Sequence, residues 1–232
     1  MDFIFMLTRN DQTVGDCLEL LEQLSDVPLQ HIGFKDVGVD IDTLRELHGK
    51  IKKRGAQSYL EVVSETKEQA LASVRLGREL GVDYVMGGTW VAEMLDALSG
   101  SDVKLLPFPG VPTGHPTVLG GQPDVIAADC REAEAAGAAG VDLLAYRASE
   151  ADPIELVRAA RRATNGILAV AGSITSVEQI RLLAAEGVDA FTIGQAALAG
   201  QVNPRKGALS SQLLEVLEAA AAPTTAPAGA QR

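Results

Sequence analysis

Two short segments near the end of the chain carry residue types suited to holding a phosphate. One runs Ala169-Val170-Ala171-Gly172-Ser173, the other Phe191-Thr192-Ile193-Gly194-Gln195, and each is an apolar run that stops on a glycine. Glycine lets the backbone approach a ligand with no Cβ in the way. Ser173 adds a hydroxyl, and Gln195-Ala196-Ala197 reads as the start of a short helix. The free N–H groups and partial positive charge of such a start match an anion. One such glycine would be read as an ordinary tight turn; two, at the ends of two strand-like runs, favour a phosphate cradle made of Gly172, Ser173, Gly194 and Gln195.

A second set of residues suits proton transfer. In His31-Ile32-Gly33-Phe34-Lys35-Asp36, strand alternation sends Ile32 and Phe34 one way and Gly33 and Lys35 the other. In 58–63 the same rule separates Leu60 and Val62 from Glu61. On adjacent strands, about 4.8 Å apart, Lys35 and Glu61 can pair, each tuning the other's proton affinity. The pair is either catalytic or a structural ion pair. Asp36 is an orienting carboxylate that binds substrate or a cap before the next helix. Thr8-Arg9-Asn10-Asp11 is a dense polar cluster, in which Arg9 is placed to clamp an anion and Asp11 to cap the following helix. His115, in the proline-rich stretch 107–116, is the one histidine expected at the active face, as an acid, a base or a surface group. Tyr146 and Arg147 end another strand, where the arginine suits a carboxylate or a second phosphate.

These residues need a scaffold that brings strand ends together. Strand-like runs fall at 3–7, 30–34, 58–63, 83–86, 103–106, 141–145, 167–171 and 189–193. Helical periodicity fills 13–25, 42–54, 66–80, 90–98, 123–136, 152–163, 176–186 and 207–220. Asp42, Asp152-Pro153 and Thr175-Ser176 supply helix starts. A Gly-Val-Asp echo at 81–83, 140–142 and 187–189 predicts three helices that end in a left-handed glycine with a strand directly after. Eight strands alternating with eight helices predict a single parallel eight-stranded (β/α)8 TIM barrel over residues 1–220, in preference to an open doubly wound sheet. The Ala-, Pro- and Thr-rich residues 221–232 cannot bury a face and are expected to be a disordered tail.

Composition narrows the partners. A net charge of −11 argues against nucleic acid, whose backbone needs clustered Lys and Arg. The one basic run, 50–54, ends a helix and reads as a solvated helix end. No apolar run spans a membrane, and the first residues lack a signal-peptide pattern, so a cytoplasmic location is expected. Cys17 and Cys130 are read as buried thiols. No pair of histidines converges with a carboxylate, so neither a metal site nor a cofactor is expected. The expected partner is a phosphorylated small molecule; the oligomeric state is open, a homodimer included.

The AGSI and FTIG segments, separated by a helix, resemble the seventh- and eighth-strand segments of the ribulose-phosphate-binding barrels. That superfamily includes sugar-phosphate isomerases and epimerases, hexulose-phosphate synthases and orotidine-phosphate-type decarboxylases. The resemblance implies phosphate contact by the amides of Gly172, Ser173, Gly194 and Gln195. It carries over no catalytic residue. The third strand reads Glu61-Val62-Val63 in place of Asp-x-Lys-x-x-Asp, the first and fifth strand ends (MLTRN, LPFPG) lack paired aspartates, and Tyr146 stands near the place of the Schiff-base lysine. The resulting expectation is an enzyme that uses no metal and acts on a phosphorylated sugar or sugar-derived ketone through an enediol or enolate. It would be an isomerase, epimerase or carbon–carbon lyase with Lys35, Glu61 and His115 as catalytic groups. The alternative is a non-catalytic barrel that senses a phosphorylated metabolite.

Overall fold

The computed structural model describes residues 1–114 and 116–222. Eight strands form one parallel sheet: β1 (Asp2–Met6), β2 (His31–Lys35), β3 (Gln57–Val62), β4 (Tyr84–Gly87), β5 (Lys104–Leu106), β6 (Gly140–Leu143), β7 (Ile167–Val170) and β8 (Ala190–Ile193). They pair in the order β6-β7-β8-β1-β2-β3-β4-β5. Two bonds, Ala139 N to Leu105 O at 3.0 Å and Asp142 N to Pro107 O at 2.9 Å, join the two ends of that order. The sheet is thereby a (β/α)8 barrel, as alternation of elements predicts.

The helices are α1 (Cys17–Gln23), α2 (Ile41–Lys53), α3 (Lys67–Leu80), α4 (Val91–Leu98), α5 (Pro123–Ala136), α6 (Pro153–Ala163), α7 (Val177–Ala185), the four-residue α8 (Gln195–Leu198) and α9 (Leu209–Ala221). Their starts follow local chemistry. Asp152 accepts from Ile154 N and Glu155 N with Pro153 in the first turn, and Ser176 and Gln179 form a capping box. The α2 cap is Asp40, which accepts from Thr43 N, and Asp42 sits in the first turn. No described helix is long and apolar enough to cross a membrane. Of the expected tail, residues 223–232 lie outside the described residues, and Ala221 belongs to α9.

Strand alternation divides the core in two. Ile32, Phe34, Leu60, Val62, Val141 and Leu143 face the helices in one large apolar layer. Ile4, Met6, Tyr59, Tyr84, Met86, Leu106, Ala169 and Ala190 fill the barrel interior. The interior is a packed plug, and the polar groups stand on top of it. Arg54, in the basic run, donates to the carbonyls of Leu21, Leu24 and Val27, so it closes the end of α1 and is not merely solvated.

The Gly-Val-Asp echo proves uneven. Gly81 and Gly187 have left-handed φ of 73° and 75° after α3 and α7, as expected. Asp83 and Asp189 follow, and each fastens the neighbouring strand, by accepting from Ser58 N and Leu168 N. After α5 the cap is Gly137, three residues earlier than Gly140. The position equivalent to Asp83 and Asp189 is Ala139, which receives Ile167 N where they receive Lys104 N and Asp2 N. Gly140 lies inside β6, and Asp142 is carried up into the barrel.

Candidate active site

The end of β1 does not run directly into α1. Thr8–Arg9 and Gln12–Thr13 pair as a small antiparallel hairpin whose turn is Asn10-Asp11, with φ of 50° and 57°. Two positive φ values in a two-residue loop define the tight mirror-image turn that suits hairpin twist. This turn, and not a helix cap, is the role of Asp11. Its side chain is buried and points at the barrel mouth. It accepts from Lys35 Nζ at 2.9 Å and takes both guanidinium nitrogens of Arg147, at 2.8 and 2.9 Å. Arg9, expected to clamp an anion, is exposed and does not line the cavity, because hairpin alternation turns it outward.

Lys35 and Glu61 are register partners on β2 and β3, and Lys35 Nζ lies 3.3 Å from Glu61 Oε1. Both are buried. Thr13 fixes the lysine's backbone, donating from Oγ1 to Lys35 O and accepting from Lys35 N. Asp36, one residue on, points to the opposite side of the sheet. It accepts from Ser73 Oγ on α3 and lies outside the cavity, so it is a link between strand and helix and not a substrate ligand. Burial pushes its carboxyl above the usual range.

Asp142 completes the cluster. It projects inward from β6 between Val141 and Leu143, fully buried, and neither carboxyl oxygen has a hydrogen-bond partner among the described residues. Burial, then the charge of Glu61, raise its carboxyl well above the ordinary carboxylate range. Asp11 moves the other way: burial alone would raise it, but the Arg147 and Lys35 hydrogen bonds and charges hold it well below that range. Two neighbouring acids are thus pushed apart, one towards the carboxylate and one towards the neutral acid.

Above the cluster is a cavity of about 450 Å³. Lys35, Glu61, Asp11, Tyr146 and Arg147 line one part of it; Gly172, Ser173, Gly194 and Gln195 line another. No hydrogen bond within the described chain uses the N–H groups of these last four residues. The backbone is packed too closely there to admit side chains. A Cβ on Gly172 would meet Arg147 Cγ at 2.7 Å, and one on Gly194 would meet Met6 O at 2.7 Å. Ser173 holds φ of 57°, a conformation that costs a non-glycine residue free energy and concentrates at functional sites. Gln195 Oε1 accepts from Asn10 N, tying the β8 end to the β1 hairpin. The Tyr146 hydroxyl is buried and has no partner among the described residues.

Part of the proline-rich stretch forms a second hairpin, Val111–Thr113 with Val118–Gly120. Thr117 N donates to Asp11 Oδ2 at 3.2 Å and Thr117 O accepts from Arg147, which draws this hairpin across the mouth. His115 lies outside the described residues. Among the described residues no group of three His, Cys, Asp or Glu side chains is placed to hold a metal ion.

The structure therefore brings Lys35, Glu61, Tyr146, Arg147, Gly172, Ser173, Gly194 and Gln195 to one cavity. Asp11 and Thr117 join them in its lining unexpectedly, while Asp142 and Thr13 are buried outside that lining. Only Asp142 had a plain sequence signal, a charged residue at the inward position of an apolar strand.

Solved structures of this shape are numerous. A native KDPGal structure shares 14% identity at TM-score 0.67, over 94% of each chain. The orotidine 5'-phosphate decarboxylase from Pyrococcus horikoshii shares 12% at TM-score 0.65, over 94% of this chain and 98% of that one. The thiamine phosphate pyrophosphorylase from Pyrococcus furiosus shares 12% at TM-score 0.60, over 95% and 96%. At such identities the likeness is one of fold alone, the (β/α)8 barrel. No protein-family model matches the chain, and no curated protein matches it by sequence.

Proposed function

We propose that this barrel is an enzyme acting on a phosphorylated sugar or sugar-derived ketone by proton transfer next to a carbonyl, as an isomerase, epimerase or carbon–carbon lyase. One observation carries the reading: a buried ammonium, Lys35, set between Asp11 and Glu61 in the same cavity that unpaired amides of the β7 and β8 ends line. The amides take the phosphate. The carbonyl oxygen faces Lys35, and the carboxylate of Glu61 removes a proton from the adjacent carbon. The electron pair of that C–H bond forms a carbon–carbon double bond while the carbonyl π pair moves to oxygen, giving an enediolate whose negative charge the ammonium stabilises without a metal. Return of the proton to the former carbonyl carbon, with the neighbouring hydroxyl proton passing to the enediolate oxygen so that the other carbon becomes the carbonyl, isomerises the substrate. Burial, then the charge of Glu61, raise the Asp142 carboxyl and so favour its neutral form in the barrel. Phosphate esters named for two of the structural neighbours support the choice of substrate class.

A thermal-shift panel of sugar phosphates and their dephosphorylated forms, followed by deuterium exchange from solvent into the best ligand, tests this. Phosphorylated members raise the melting temperature, and wild-type protein exchanges the carbon-bound proton. Glu61→Gln loses exchange by about a hundredfold or more, and Lys35→Ala abolishes it, while both retain phosphate affinity. Stabilisation without exchange in the wild type would leave a sensing barrel instead. Borohydride added with the substrate leaves Lys35 unmodified if the ammonium acts electrostatically; a trapped adduct would make it a Schiff-base nucleophile.

A further inference from the structure

A second cavity, of about 290 Å³, opens at the ends of β3, β4 and β5. Val62, Trp90, Phe108 and Pro112 give it apolar walls, and Ser64 and Thr113 stand among its lining residues. Resting on the function proposed above, we propose that this cavity is a subsite for an aromatic or similarly flat apolar group carried by the phosphorylated substrate.

Three observations place the group there. First, the cavities are neighbours: Thr117 lines both, and on β3 Glu61 lines the first while Val62 and Val63 line the second. A molecule held over Lys35 and Glu61 reaches the second cavity, at the end of β3, past Thr117. Second, strand order puts β3 and β4 diametrically opposite β7 and β8 in a closed eight-stranded barrel. A substrate with its phosphate at Gly172 and Gly194 therefore extends across the mouth towards Trp90. Third, the size and chemistry fit a ring. An apolar cavity of about 150 Å³ accommodates benzene, and here Trp90 and Phe108 offer aromatic surface. The hydroxyls of Ser64, Thr89 and Thr113 make no hydrogen bond among the described residues and are available to ring substituents.

Trp90 is the only tryptophan, so its emission reports on this cavity. The full chain is titrated with inorganic phosphate, glycerol 3-phosphate, 4-phenylbutyl phosphate and 4-phenylbutanol. The aryl phosphate is expected to bind at least about tenfold tighter than glycerol 3-phosphate, the gain from burying a ring, and to shift Trp90 emission, which glycerol 3-phosphate leaves unmoved. Ser64→Phe, or Thr113→Phe if that variant does not fold, should fill the cavity and erase the aryl advantage with inorganic phosphate affinity unchanged. Equal affinities with unmoved emission overturn the subsite and leave the phosphate cradle standing. A Trp90 response to 4-phenylbutanol with no binding of any phosphate overturns the cradle and leaves the subsite; silence in every titration overturns both.

Discussion

Asp11 accepts from two cations and a backbone amide, and both it and Lys35 are buried. Replacing it by asparagine leaves Lys35 with only Glu61 at 3.3 Å, and leaves Arg147 without its bidentate partner. Breaking a buried pair from one side costs about 3–5 kcal/mol, and urea unfolding of Asp11→Asn at neutral pH should show a loss of that order. Folding lowers the Asp11 carboxyl, so its contribution is present above the unfolded value of about 4 and is lost as pH falls below it. The penalty should therefore shrink in acid. Asp142 has the opposite sign. Folding raises it, so the folded chain keeps a proton that the unfolded chain releases near pH 4. The stability this lends is complete below about pH 4 and drains away as pH rises towards the folded value. Asp142→Asn, fixed in the neutral form, should gain on the wild type as pH is raised from about 4 to 8; parallel stability curves would show that the carboxyl ionises normally inside the barrel.

At the level of elements, Gly137 and Gly140 make a sharp comparison. Gly137 caps α5 at φ 103°, and a methyl group added there would meet nothing within 4 Å, so alanine should cost about 1–2 kcal/mol, the left-handed penalty. Gly140 packs so closely on β7 that a Cβ would sit 2.0 Å from Ile167 O. Gly140→Ala must part β6 from β7, and a loss beyond about 4 kcal/mol, or no folded protein, is expected by thermal denaturation. The sequence echo points to Gly140 as the cap because Gly-Val-Asp recurs there; the helix in fact ends three residues earlier, and nothing in composition distinguishes the two glycines. Strand and helix order was legible because each element has a clear period and a turn signal. The inward pairing of Lys35 with Glu61 was legible because alternation needs only neighbours along the chain. Asp11 was not, since its place depends on a two-residue turn whose partners, Lys35 and Arg147, are 24 and 136 residues away. The outward course of Asp36 follows the same alternation, on the Ile32 and Phe34 side of β2; what was hidden was its partner, Ser73 on α3.

Across the whole molecule the barrel interior separates along its axis. The lower part is an apolar and aromatic plug, in which Tyr59 and Tyr84 stack with ring centroids 4.7 Å apart, Lys104 lies 5.4 Å from the Tyr84 ring, and His31 Nδ1 meets the Tyr59 hydroxyl at 2.8 Å. The upper part holds the charges that surround the cavity. This arrangement lets the cost of burying Lys35, Asp11 and Asp142 be offset by packing further down the barrel, where no chemistry is required. It also makes stability and ligand binding separable by mutation. Tyr84→Ala removes a stacked ring from the plug and should cost about 3–5 kcal/mol in urea unfolding, yet leave phosphate affinity within about twofold at temperatures where the variant is folded. Lys35→Ala should do the reverse for turnover, abolishing exchange in a protein that still binds phosphate. If Tyr84→Ala weakened phosphate binding as much as it weakened the fold, plug and mouth would be one coupled unit, and the strand ends would owe their geometry to the whole interior, not to the hairpin and glycine contacts around them.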